Sequence, residues 1–337
     1  MALFSFKKET KCYLTEENAQ GTLTFIEFKP IDISFSQTFT EKSHPKKGIL
    51  NSEYFEASVI NKANPANFEV SLYFTKISNS DDAEWNIVNN LWTRATSPDP
   101  DTTKTLKTFD LFIVTEQDTF SLQDCVITNW VFGIERLQPL SIAISGEATK
   151  LERLGDSTYI SSLGSSQYRG LNSGTIRSFD SPPNREFLVP NRVELTVGGV
   201  DTSSCLTSLS LELQNDIKWT PYTYLTGAMS ASDASTSMYP QNFTYDKKIL
   251  SGTIIRYLSD DNPDLQNWKN AKGTLTPLAL KVFDDSSEAN AVIDLALTSI
   301  AFTNRVASDQ LFTESYDWRA LKHDDLTSLT LDTVSAP

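Results

Sequence analysis

Histidine is nearly missing. The 337 residues include two, His44 and His323, and neither has a second histidine or a cysteine at ligand spacing. That argues against a zinc site and leaves almost nothing for histidine-based catalysis. Cysteine is scarce as well: Cys12, Cys125 and Cys205 are an odd number with no Cys-x-x-Cys pair, so a disulfide framework is not expected. Cys125 and Cys205 sit in apolar, strand-like runs and are expected to be buried free thiols, which suits synthesis in a reducing cytosol. No window approaches 18 uninterrupted apolar residues, which rules out a transmembrane helix. The first residues, Met1-Ala-Leu-Phe-Ser-Phe-Lys-Lys, lack a basic region followed by a sustained apolar stretch, so no signal peptide is expected. Positive charge is in deficit: 29 Lys and Arg stand against 43 Asp and Glu, a net charge of −14. A surface of that sign disfavours gripping nucleic acid or an anionic membrane. It suits a wall past which nucleic acid moves without sticking.

Catalytic motifs are missing too. The chain has no Gly-x-Ser-x-Gly elbow, no Walker A loop and no Gly-x-Gly-x-x-Gly after a strand. Gly198-Gly199 follows a strand without a helix behind it and reads as a hairpin turn. Asp260-Asp261-Asn262-Pro263-Asp264 concentrates oxygen ligands but lacks calcium-loop spacing and coincides with a helix start, where Asp and Asn are favoured anyway. Asp284-Asp285 reads as a turn, and nothing singles out a carboxylate pair for glycoside hydrolysis. No catalytic, cofactor-binding or metal-ligating residue is assigned, and the chain is not expected to be an enzyme.

What is present is β-pattern. Period-two runs rich in aromatic and β-branched residues fall at Thr22–Phe28, Ile31–Phe39, Phe68–Phe74, Leu106–Val114, Cys125–Phe132 and Leu140–Ala148. The second half supplies Arg192–Val197, Leu206–Leu213, Ile249–Leu258, Leu275–Phe283, Ala291–Phe302 and Leu311–Leu321. Each half has one helix pattern. Asp81 and Glu84 make a capping-box-like start before Trp85, Val88 and Trp92, and Asn262-Pro263 precedes Leu265 and Trp268. The tryptophans are core packing.

The halves echo each other. At an offset of 170, Thr128 falls on Thr298, Phe132 on Phe302, Ser145 on Ser315 and Leu151 on Leu321. The period is far longer than that of a solenoid, so two tandem copies of one domain are expected: residues 1–155, a Ser/Gly-rich linker or arm at 156–190 broken by Pro182-Pro183, and residues 191–337. With 39% hydrophobic residues the chain can bury two ordinary cores. Two segments read as loops with something to touch. Thr40–Ser52 holds Lys42, His44, Lys46 and Lys47, a basic patch in an acidic chain. Asp216–Asp246 holds Trp219, Tyr222, Tyr224, Met229, Met238 and Tyr239. An aromatic and Met-rich loop either folds over its own core or contacts another chain.

This organisation resembles the tail tube (major tail) proteins of long-tailed bacteriophages, in the version with two fused tube domains. The most telling stretches are Val126–Leu151 and its counterpart Ala296–Leu321. The resemblance implies a mainly β fold with one short helix per domain, built as two tandem tube-type β-sandwich or barrel domains. It implies a virion protein that associates with itself as stacked rings, trimeric with pseudo-sixfold symmetry, alongside other phage tail proteins. Double-stranded genome DNA would pass through the lumen without specific binding, and no cofactor or membrane is implied. The ten loop residues named above become candidate inter-ring contacts. A two-domain β-sandwich adhesin or carbohydrate-binding protein is the rival reading.

Overall fold

Strand alternation in the sequence becomes backbone ladder in the structure, and one long strand shared by two sheets organises it. In the computed structural model the described residues are 10–17, 23–47, 54–74, 87–96, 106–115, 118–135, 138–155, 175–178, 187–219, 239–240, 242–259, 276–283, 291–308, 311–321 and 330–331. They form β1 (Lys11–Glu17), β2 (Leu23–Phe28), β3 (Asp32–Ser36), β4 (Phe39–Lys47), β5 (Tyr54–Ala63), β6 (Ala66–Tyr73), α1 (Ile87–Thr96), β7 (Phe109–Val114), β8 (Thr119–Glu135), β9 (Ser141–Ala148), β10 (Lys150–Gly155) and β11 (Thr175–Ser178). There follow β12 (Arg192–Val197), β13 (Val200–Asp201), β14 (Leu206–Trp219), β15 (Phe243–Tyr257), β16 (Thr276–Phe283), β17 (Ile293–Ser308), β18 (Phe312–Ala320) and β19 (Thr330–Leu331). The fold is mainly β, with one helix among the described residues. Trp85 and the second expected helix around Trp268 lie outside them, as do His323 and both acidic clusters.

Eight strands run side by side in the order β3-β6-β9-β8-β14-β15-β18-β17, every neighbour antiparallel. The amino-terminal part of β8 pairs instead with β7 and β10, and from β7 the ladder continues through β1 and β2 to a parallel β11. The amino-terminal part of β17 pairs likewise with β16 and β19, and from β16 the ladder continues to β12 and β13. The orders β3-β6-β9-β8-β7-β1-β2 and β14-β15-β18-β17-β16-β12-β13 are therefore the same.

The residue matches at offset 170 fare differently. Thr128 and Thr298 both fall at irregular steps of the ladder, between Ile127 and Asn129 in β8 and between Leu297 and Ile300 in β17. Phe132, however, faces Ile142, whereas Phe302 faces Trp318. At that offset Phe302 would have to face Phe312. The β17–β18 hairpin is longer than β8–β9, so Ser145/Ser315 and Leu151/Leu321 do not occupy equivalent positions. The segment 156–190 also holds more than a bare linker. β11 lies within it, and Leu188, 1% exposed, joins the core while exchanging backbone bonds with Phe74 and Leu140. The Cys205 reading fails as well: it is exposed, in a turn at φ +60° that ends its alternation, while Cys12 and Cys125 are buried.

The buried apolar residues make one contiguous cluster from Cys12 to Trp318 rather than two separate cores. The reason is the pairing of β14 on β8, which carries the apolar rows of one half directly into the other. Helix α1 lies over that seam. Trp92 packs edge-on against Trp130 with ring centroids 5.3 Å apart, and a small void beside them is also lined by Leu211, Leu213 and Leu250 of the second half. Helix carbonyls at the carboxyl end have no partner within the helix, and here the second half supplies donors. Asn215 Nδ2 donates to Ala95 O at 3.0 Å and to Ile127 O at 2.9 Å, and Lys248 Nζ donates to Thr96 O.

Beneath the second half, Arg256 of β15 and Glu314 of β18 are cross-strand neighbours, each 2% exposed, with Nη2 2.8 Å from Oε2 and Tyr316 Oη 3.2 Å from Nη2. Burial, then the bond with Glu314, pushes the Tyr316 hydroxyl up. Removing one member of such a pair strands a charge at a cost of about 3–5 kcal/mol, whereas replacing both with apolar groups is often neutral or better. Arg256→Met should accordingly lower the urea midpoint far more than Arg256→Met/Glu314→Leu. Gly252 faces Trp318 across the ladder, and a Cβ there would overlap Ser210 O and come within 2.7 Å of the indole. Gly252→Ala should cost about 1–3 kcal/mol in the same unfolding measurement.

Candidate functional site: a polar sheet face with two open edges

Side chains of the eight-stranded sheet alternate between the core and the opposite face. Along β9 the pattern is strict, with Ile142 and Ile144 buried beneath outward Ser141, Ala143 and Ser145. One row crosses all eight strands on the outward side: Asp32, Ser71, Ala143, Val131, Glu212, Ser251, Arg319, Ala301. Adjacent outward positions are Glu69, Ser145, Gly133, Ser210, Thr253 and Asp317. Glu69, Glu135, Asp317 and Asp32 are exposed, and so are Arg305 and Arg319. The face is thus built of hydroxyls, small residues and carboxylates, with few cations and few large apolar groups. Lone pairs and negative charge in this density repel a phosphate backbone and offer water many partners. They offer no pocket and no nucleophile.

Both lateral edges of this sheet are open among the described residues. β3 pairs with β6 on one side alone. In β17, residues 301–308 pair with β18 on one side, and β16 on the other side reaches only as far as Ile300. At the corresponding place in β8, residues 129–135 carry β14. An unpaired edge is a template for another strand.

The sequence-nominated residues are dispersed. Lys42, His44, Lys46 and Lys47 lie in β4, which pairs with β5 as a separate two-stranded sheet; the expected loop is a strand. Its sequence has almost no apolar alternation, so it carried no strand signal. The expected loop Asp216–Asp246 is also shorter, because β14 continues through Trp219 and β15 begins at Phe243. The step between Asn215 and Ile217 breaks the alternation there. Trp219 folds inward: it packs in a satellite cluster with Leu106, Val126 and Phe243, and its Nε1 donates to Glu147 of β9. Tyr239 sits 6.4 Å edge-on from Phe39 at the foot of β4, with Lys150 Nζ 5.5 Å from its ring centre. Tyr222, Tyr224, Met229 and Met238 lie outside the described residues. Exposed apolar residues stand next to the open edges, Ile31 at 47% and Val306 at 48%.

No group of three or more metal-ligating side chains occurs among the described residues. A cleft of about 310 Å³ lies at the seam between Glu135, Asn191, Ser203, Cys205 and Ser208. It holds no cluster of ligands or charges.

Comparison with known proteins bears on this geometry. Residues 27–171, less than half of the chain, match the model of the Bacteriophage Baseplate Tube Protein Family. This supports a structural tube or baseplate protein of a phage virion, assembled with other tail or baseplate proteins. The matching family is that of the baseplate tube, not specifically the major tail tube that the sequence organisation resembles. Among solved structures, one chain of the "Cryo-EM structure of the anti-feeding prophage (AFP) baseplate, 6-fold symmetrised" is 13% identical with a TM-score of 0.33, covering 46% of this chain and 98% of that one. A likeness of that extent carries no argument about this chain. No curated protein matches.

One titration reports on the seam. Burial lowers the Lys248 ammonium to about 8, from an ordinary value near 10.4. Between those values the unfolded chain holds more protons than the folded one, so the penalty of burying this charge is present below about pH 8 and fades as pH rises. Relative to Lys248→Met, the wild-type protein should gain stability between about pH 7 and pH 9.5, read as the difference in urea midpoints across that window.

Proposed function

We propose that the chain is a tube subunit of a phage tail or baseplate. In this reading it associates with itself into rings, three chains to a ring with pseudo-sixfold symmetry. Rings stack into a hollow cylinder, and the outward face of the eight-stranded sheet lines a bore through which genome DNA passes. The observation that carries the reading is the continuity of that face: one hydroxyl- and carboxylate-rich surface runs unbroken from β3 to β17, through a chain whose first half matches a tube family. Residues 1–155 and 191–337 then act as two tube units, with 156–190 crossing between them. The duplicated strand order supports that division.

Ring-to-ring contact falls in this scheme to the β4–β5 hairpin, with Lys42, His44, Lys46 and Lys47, and to the segment around Tyr222, Tyr224, Met229 and Met238. Tyr239 beside Phe39 supports placing the two at the same end of the molecule. Nothing in the bore binds a base edge, so DNA would meet only repulsion and water.

Negative-stain electron microscopy of the purified protein tests this directly. Rings or tubes with a central bore are expected, and discrete solid particles at every concentration would reject the reading. A charge reversal tests the bore. Glu69→Lys/Glu212→Lys assemblies should pull down linear duplex DNA in sedimentation, with binding lost between 50 and about 200 mM salt, while wild-type assemblies leave it in the supernatant.

A further inference from the structure

Two strand pairs of this molecule end in the same way, and one of the two ends is filled. In the first half the β6–β9 ladder closes on Tyr73 opposite Ser141. In the second half its counterpart by strand order, β15–β18, closes on Tyr257 opposite Thr313. Beyond each last pair stand one phenylalanine and one leucine, Phe74 with Leu140 and Phe312 with Leu258. Antiparallel residues in a hydrogen-bonded position exchange two backbone bonds. Each of these pairs makes one: Phe74 N donates to Leu140 O at 2.9 Å, and Leu258 N donates to Phe312 O at 3.0 Å. In the first half a third segment takes the groups left over. Leu188 N donates to Phe74 O at 3.1 Å and Leu140 N donates to Leu188 O at 2.8 Å, so one residue sits in the open fork and holds both strands. Its neighbour Phe187 lies edge-on to Tyr73, with ring centroids 5.1 Å apart. Phe74 and Leu140 are accordingly 0% and 2% exposed. In the second half no backbone group among the described residues bonds Phe312 N or Leu258 O in that way. Leu258 is 42% and Phe312 61% exposed, and Tyr257 and Leu311 beside them are exposed as well.

We propose that the β15–β18 fork is a binding site for an extended peptide segment of a different protein, one in which an aromatic residue precedes a leucine. The filled fork supplies the specification. The incoming leucine donates its N–H to Leu258 O, accepts from Phe312 N at its carbonyl, and covers the Leu258 and Phe312 side chains. The aromatic ring before it lies on Tyr257, as Phe187 lies on Tyr73. Such a site draws affinity from main-chain bonds and selectivity from the side chains next to them. This chain has no segment of that kind to spare among its described residues. Tyr13-Leu14 is held in the β1–β2 ladder, Phe187-Leu188 fills the first fork, and Tyr257-Leu258 builds the second. The occupant is therefore assigned to another polypeptide. The assignment stands on the two forks and does not depend on ring formation.

The probe is a synthetic peptide with the sequence of residues 186–190, Glu-Phe-Leu-Val-Pro, carrying a bromoacetyl group at its amino terminus. Cys205 is an exposed thiol whose carbonyl accepts the Tyr257 N–H at 2.9 Å, so a peptide seated in the fork brings the reagent beside it. With the full-length protein, intact-mass spectrometry should show Cys205 alkylated about tenfold faster by this peptide than by one with serine in place of its phenylalanine and leucine. Leu258→Ser/Phe312→Ser, two exposed positions whose folding is checked by circular dichroism, should bring the two rates together. An advantage that survives this double substitution would overturn the site. So would equal rates both in the wild-type protein and in Tyr224→Ser/Leu225→Ser, which removes the remaining aromatic–leucine pair of the sequence, outside the described residues. An advantage seen only in Tyr224→Ser/Leu225→Ser would mean that this chain or a second copy fills the fork, and would overturn the assignment to a different polypeptide.

Discussion

The backbone ladder between β8 and β14 is the constraint on which the rest of this molecule depends. β8 is 17 residues long and serves two masters. Its first part is bound to β7 and β10, its last part to β9 and β14. Sharing one strand between sheets fixes the angle of each without an inter-domain surface of side chains. The apolar rows then run through the seam in register. Trp130 stands opposite Leu213 and Phe132 opposite Leu211, so burial is as continuous across the junction as within either half. Backbone bonds set the geometry, and apolar burial at about 25 cal/mol per Å² supplies the stabilisation.

Electrostatics follows from the same alternation. Strand period two sends carboxylates and hydroxyls outward and leaves the core apolar, with an exception under the second half, where Arg256 and Glu314 are buried together. Nε and Nη2 of Arg256 donate to Glu314 Oε2, and Nη2 also lies 3.2 Å from the Tyr316 hydroxyl, so the pair is held by protein groups rather than by solvent. The helix resolves a second problem. Its final carbonyls meet Asn215 and Lys248, so the element with the fewest ladder bonds is tied to the seam by donors from the far half.

Much of the ladder was legible in the sequence because one face of each strand is buried. Leu206–Leu213, Leu275–Phe283 and Leu140–Ala148 announce themselves through alternation alone. Where burial is weak the signal fades. β4 is nearly all polar and read as a loop, and β11 hides in a stretch of serine and glycine. Asp124, at φ +51°, interrupts β8, so only its second part was visible. Strand partners were another matter. Nothing local in Leu206–Leu213 says that it will lie on β8, because ladder bonds are made by backbone atoms common to every residue. Identities at a constant offset misled for a related reason: a hairpin can lengthen without disturbing its neighbours, and then Ser145 and Ser315 share a spacing but not a place. The acidic, cation-poor composition did survive into a specific surface. Of the nominated contact residues, Trp219 turned inward because Glu147 and a small apolar cluster were available to it.

The parallel strand β11 along β2 has a quieter effect. It covers the outer edge of β2 with the chain's own backbone, parallel where every other pairing is antiparallel. The flank of the first half is therefore completed by backbone that comes after β10, and a fragment ending at residue 155 would leave that side of β2 bare.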